Sequence, residues 1–399
     1  MKKISKREIN FFTRKYITSY AIQGFIMLLI GIVLIIFSII ELPDVFDVTL
    51  ISSYLIIVIS FGASKLICFF ITKKTEDCSK VSEDCEQLNK KYSVMKLVSY
   101  KGVKFTGVCV CDIDSSKSIK VMDNPEKFYE APAQILDNYE AMMHAHSHSN
   151  SFNNICIRLD DITEDSDCVT IKTSRTTYFD SLVTNRASDY ILNSKQLTVR
   201  ERYEPGPYVK PLKQSVLSNH LGFHCFVITK DGYIPFVLRK DNLSIHKNLW
   251  GVGIQASLKT KYAIKDEANY TMNEASLGVA IINEIKDELK LKIAPELTSL
   301  EAAKGIFAFY RDLCECGKPQ FVCAEKLSNI TRAEITEAFL AKQDKQDVNY
   351  DGKIIEFFTR EELMSADFCH GMMKINGKEY KMSSSTIVSI ILFLQHKFD

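Results

Sequence analysis

The chain has 399 residues, 25% of them charged, and its 50 Lys/Arg against 49 Asp/Glu leave a net charge of +1. That length has room for two or three domains and a sizeable core, and a composition that is 46% hydrophobic excludes a wholly disordered chain. The near-zero balance gives no global signal for nucleic acid, local patches aside, and DNA is not among the expected partners.

A mean hydropathy of −0.04 conceals a strong asymmetry along the chain. Residues 17–40 carry no charge, and a membrane crossing needs about 20 apolar residues. A second apolar stretch covers residues 48–72, with Lys65 toward its later end, where a lysine can snorkel. Lys2, Lys3, Lys6, Arg7, Arg14 and Lys15 precede the first stretch and Lys73 and Lys74 follow the second, while Glu41, Asp44 and Asp47 lie between them. The positive-inside rule then predicts a two-helix transmembrane hairpin with both chain ends cytoplasmic. Residues 1–16 read as its basic cytoplasmic lead. The twelve cysteines include no Cys-x-x-Cys, so they read as core thiols in a reducing compartment rather than as zinc ligands.

Residues 73–164 read as a stalk and a small β-rich connector. Strands are predicted at 94–100 and 103–111, where β-branched and aromatic residues concentrate. The run His144-Ala-His-Ser-His148 would share one face of a strand and bind metal, or else be a solvated loop. Further on, a strand is predicted at 168–173 and helical spacing covers 178–192. Strands at 223–229 and 233–239 flank Lys230-Asp231-Gly232, a hairpin signal. A helix is predicted over 274–290 with Gly278, Ile282, Ile285 and Leu289 on one stripe. Strands near 305–311 and 319–324, a helix at 331–342, a hairpin around Asn376-Gly377 and an apolar helix capped by Ser383–Ser385 complete the chain. No Gly-x-x-x-x-Gly-Lys-Ser/Thr phosphate loop occurs.

Glu284, Asp287 and Glu288 fall at i, i+3 and i+4, which puts three carboxylates on one helical face. Their repulsion is offset either by a divalent cation bridging a diphosphate, or by solvent with Lys286 and Lys290 nearby.

Around this helix the chain resembles the Nudix family. Residues 226–240 resemble its first strand pair and Leu-Trp-Gly-Val-Gly at 249–253 its tryptophan-glycine element. Asn-Glu-Ile-Lys-Asp-Glu-Leu-Lys-Leu at 283–291 stands in the place of the Nudix-box Arg-Glu-U-x-Glu-Glu-x-Gly-U, U being a bulky apolar residue. Family-like flanks lie at 178–185, 215–222 and 310–321, so the likeness covers about residues 165–399. It implies an α+β architecture in which the hairpin is followed by a cytoplasmic Nudix-like α/β/α domain with a mixed sheet. Ala275, Asn283 and Lys290 stand where the box has a glutamate, its arginine and its late glycine, and Asn269 stands at its opening glycine. Hydrolysis is therefore less expected than binding, with Glu284, Asp287 and Glu288 as a surviving Mg2+ set. No catalytic residue is assigned outside these three.

Hairpin and degenerate box together resemble the membrane-anchored Nudix effectors of bacterial CBASS antiphage systems, the SMODS-associated Nudix group. The resemblance implies that a nucleotidyltransferase, linked functionally rather than by contact, makes a cyclic oligonucleotide. The Nudix-like domain would bind it and assemble, and the hairpin would disrupt the lipid bilayer of the inner membrane. Arg239 and Lys240 at the end of the second strand, Trp250, and Arg175, Tyr178, Asn185 and Arg186 in the first flank are the expected ligand contacts. A membrane-tethered Mg2+-dependent hydrolase of a nucleoside diphosphate derivative, and a structural protein recruiting a partner, are the other readings.

Overall fold

A computed structural model describes residues 84–398 apart from 115, 147–148, 150–151, 193–196, 242, 267–268, 292–295 and 344–351. Among the described residues no helix is long and apolar enough to cross a membrane. The most apolar of the long ones, Ser384–Gln395, has 12 residues, or about 18 Å at 1.5 Å per residue against about 30 Å of hydrocarbon. This corrects the expected architecture of a transmembrane hairpin and the two-span inner-membrane placement built on it. The segments 17–40 and 48–72 that prompted it lie outside the described residues.

The described part is α+β with mixed sheets. The strands used below are β1 (Leu97–Tyr100), β2 (Val103–Asp112), β3 (Ser118–Phe128), β4 (Ile155–Glu164), β5 (Cys168–Thr177), β6 (Gly222–Ile228), β7 (Ile234–Arg239), β8 (Trp250–Val252), β9 (Ile254–Ser257), β10 (Ile306–Asp312), β11 (Lys318–Lys326) and β12 (Gly352–Phe358). A six-stranded sheet runs β1-β2-β10-β11-β6-β9. Only the β11–β6 pair is parallel, with Gln320 opposite Gly222; the others are antiparallel.

Alternation along the strands builds a core on each face of this sheet. Phe223, Cys225, Phe309, Phe321 and Cys323 pack on one side against Leu277, Ala280, Ile281 and Ile285 of the Glu274–Glu288 helix. Phe226, Tyr310 and Val322 pack on the other against Ile387, Ile391 and Phe393 of the C-terminal helix. That helix starts where expected, its Ser383 hydroxyl accepting the Thr386 N–H at 3.2 Å. The long helix closes on its neighbour at Gly278, where a Cβ would stand 1.7 Å from the Ser299 carbonyl oxygen.

Several sequence expectations change in three dimensions. The Lys230-Asp231-Gly232 turn forms, with Gly232 at φ +85°, but its strands part. β6 is taken on both edges by β11 and β9, so β7 joins a second sheet, β8-β7-β12. Residues 97–112 are not a separate connector: β2 pairs with β10 inside the main sheet. β3 and β4 flank β5 in a third sheet, and no strand was expected at 118–128. The described part of the histidine run, 144–146, is not a strand either, since His144 ends the helix Tyr139–His144 and His146 is buried.

Candidate functional site

The starts of the parallel strands β6 and β11, the end of β7 and the last turns of the Glu274–Glu288 helix enclose a cleft of about 190 Å³. Tyr178, Arg186, Arg239, Lys259, Lys318, His246, Gln320, Glu284 and Glu288 are among its lining residues. A second cavity of about 650 Å³ adjoins it, sharing Arg186, Ile245 and His246 and reaching Lys247, Lys381 and Ser383–Ser385 at the start of the C-terminal helix.

Local structure aims the first cations. Thr177 caps the short helix Tyr178–Leu182 in a reciprocal box with Asp180, which fixes Tyr178 at its first position. The Tyr178 hydroxyl lies 2.7 Å from Ser244 Oγ. The Arg186 guanidinium sits over the Tyr178 ring at 5.3 Å, donates from Nη1 to Ser181 Oγ at 3.2 Å and from Nε to Glu315 Oε1 at 3.3 Å. Asn185 braces this turn from inside. Its Oδ1 accepts the Asn219 N–H at 2.9 Å, and its Nδ2 donates to the Glu315 carbonyl at 3.2 Å.

Lys259 arrives from the loop after β9. Its backbone bridges Cys156, the Ile157 N–H donates to the Leu258 carbonyl at 2.9 Å, and Thr260 Oγ1 donates to the Ile155 carbonyl at 3.2 Å. The start of β4 thus fixes a cleft residue. Lys259 Nζ donates to Glu284 Oε1 at 2.8 Å, and the Tyr262 hydroxyl donates to the same oxygen.

The three helix carboxylates do not converge. Glu284 is buried and held by Lys259 and Tyr262, and Glu288 lines the cleft. The Asp287 side chain is 58% exposed and lies 3.8 Å from Lys261 Nζ. Among the described residues no group of three or more His, Cys, Asp or Glu stands together as a metal site. The donor set does not fit Mg2+, which needs carboxylate oxygens turned to the ion; here an ammonium already occupies Glu284.

Positive charge in the cleft resides on Arg and Lys. Burial takes His246 down to about 4 and His224 to about 3, with neighbouring cations adding to the effect, so both imidazoles are neutral near pH 7. Burial likewise brings Lys318 down to about 8, against the opposing pull of Glu315. Burial would raise Glu315, but Arg186, Lys318 and His246 hold it at about 2. Lys318 Nζ lies 3.6 Å from Glu315 Oε2.

Of the residues expected at a ligand site, the fold gathers Tyr178, Arg186, Arg239, Glu284 and Glu288, with Asn185 behind them. Arg175 is elsewhere, a buried bidentate partner of Asp123 at 2.6 and 2.7 Å. Lys240 and Trp250 do not line the cleft; Trp250 pairs with Leu238 in its sheet and packs edge-on against Tyr380 at 5.3 Å. Asn283 is exposed and donates to the Val279 carbonyl at 2.8 Å. Lys259, Lys318, His246 and Gln320 escaped a reading by motif. One signal was in view: Lys318 and Gln320 precede the apolar run Phe321-Val-Cys-Ala324, and a charge beside a buried run needs a partner or a ligand.

No family model and no curated protein matches this chain.

Proposed function

We propose that this domain binds a cyclic oligonucleotide in the cleft and acts as a sensor rather than a hydrolase. In a CBASS-like system a nucleotidyltransferase would make that ligand, and binding would drive the protein into a higher oligomer. The observation that carries the reading is the convergence of Arg186, Arg239, Lys259 and Lys318 on one cleft beside Glu284 and Glu288. Phosphodiester oxygens are acceptors only, and guanidinium and ammonium groups supply the donors they need. The adjoining cavity, about 650 Å³, falls within the usual size of a small-molecule site and offers room for the nucleosides.

The test is isothermal titration of the full-length protein with cyclic di- and trinucleotides, alongside light scattering for assembly. One of these ligands is expected to bind and to raise the oligomeric state, and Arg186→Ala is expected to weaken binding by about 1.5–3 kcal/mol, the range for a hydrogen bond to a charged group. Affinity is expected to fall as pH rises through about 8, where Lys318 gives up its proton and its charge. A panel without any binder, or turnover of nucleoside diphosphate derivatives by the purified protein, sinks the reading.

A further inference from the structure

Two observations on Glu284 bear on how the cleft meets an anion. First, one oxygen of its carboxylate is already engaged: Oε1 accepts from both the Lys259 ammonium, at 2.8 Å, and the Tyr262 hydroxyl. Second, Lys259 is built in rather than draped over the surface. Its side chain is 27% exposed, and the hydrogen bonds of Ile157 and Thr260 to the backbone on either side hold the loop that carries it. Burial works against its charge, but Glu284 and Glu288 outweigh that and raise its pKa, so the ammonium persists. Burial and Glu284 also raise Tyr262, which stays a phenol and a donor.

An ammonium bonded to a carboxylate at close range stands where a Mg2+ ion would sit and repels a second cation there. The third carboxylate, Asp287, lies by Lys261 on the exposed side of the helix. We infer that the Lys259 ammonium takes the place of a divalent cation in this cleft, so that the cleft receives a phosphodiester directly and without Mg2+, and does not recognise a Mg2+-chelated diphosphate. This rests on the cleft being the phosphate site proposed above. It specifies the ligand's chemistry, because a phosphodiester carries one charge per phosphate and needs no chelated metal, whereas a diphosphate ordinarily arrives with one.

The experiment titrates the full-length protein with cyclic di-AMP, cyclic di-GMP, cyclic GMP–AMP and cyclic tri-AMP, once in excess EDTA and once in MgCl2. Affinity for the binder is expected to agree between the two conditions within about threefold, or about 0.7 kcal/mol. Lys259→Met is expected to weaken binding in EDTA by at least about tenfold, and Lys259→Arg to restore most of it. The comparison of EDTA with MgCl2 on the unsubstituted protein needs no variant, so a misfolded Lys259→Met leaves the test intact. Binding only in MgCl2, or unchanged binding by a folded Lys259→Met, overturns the inference and leaves the cleft a phosphate site. Absence of binding by all four probes in both conditions overturns the cleft itself.

Discussion

Glu325 on β11 is 5% exposed, and its Oε1 has no hydrogen-bond partner. Burial, with Glu301 adding to it, pushes the carboxyl from its ordinary 4.5 up to about 9. The folded chain therefore keeps this proton up to about pH 9, while the unfolded chain releases it near 4.5. Between those values the folded state binds more protons, so stability falls as pH rises. At pH 7 the unfolded state gains about 3 kcal/mol from ionising this one group. Glu325→Gln is expected to remove that slope, seen as denaturation midpoints at pH 6 and pH 8.5 that lie closer together than in the unsubstituted protein; an unchanged gap would count against the assignment. Arg175 shows the limit of reading residues singly. An arginine in a stretch that resembles a ligand-binding flank is spent on Asp123, a partner 52 positions earlier in the chain. Nothing local in either segment announces that pair.

The Glu274–Glu288 helix was legible in its period, its start and its apolar stripe. Asn273 caps it, accepting the Ser276 N–H at 2.9 Å, and Ile285 and Leu289 are buried as the spacing predicts. Its far end explains one departure from the Nudix box. Lys290 has φ +56°, and the Leu291 N–H donates to the Lys286 carbonyl at 3.1 Å, the pairing of a helix that stops in the left-handed region. A glycine there carries no Cβ penalty, which is the physical use of the box's late glycine. Lys290→Gly is expected to stabilise the fold by about 1 kcal/mol, measured as a shift in urea midpoint. A loss of stability instead would mean that contacts of the lysine side chain outweigh backbone strain. Periodicity could not say which carboxylates of this helix face the cleft. Glu284 and Glu288 are one turn apart and both do, whereas Asp287 lies 3.8 Å from Lys261 on the exposed side.

On the scale of the whole molecule, the described residues before 165 complete the domain. β2 supplies Ala308 through Asp312 with their outer neighbour, Phe105 enters the core under the C-terminal helix, and β3 and β4 flank β5 on both edges. A chain beginning at residue 165 is expected to lack a cooperative melting transition by near-UV circular dichroism, because it leaves one edge of β10 and both edges of β5 unpaired. Cooperative melting of that fragment would refute the integrated sheet. The cleft shares this dependence, since Cys156, Ile157 and Ile155 pin the loop that holds Lys259.

Local physics was enough to place most of the longer elements from the amino-acid order. The periods of the Glu274–Glu288 and Ser384–Gln395 helices, the Ser383 cap, the turns at Gly232 and Asn376-Gly377 and the apolar runs of β10 and β11 follow from interactions within a few residues, whereas the helix expected over 178–192 forms only at Tyr178–Leu182. Strand partners, the split of β6 from β7, the membership of residues 97–112 and the occupant of Glu284 came only from tertiary structure. Each depends on pairing between segments far apart in the chain, where many partners satisfy the same pattern and only the packed whole selects one.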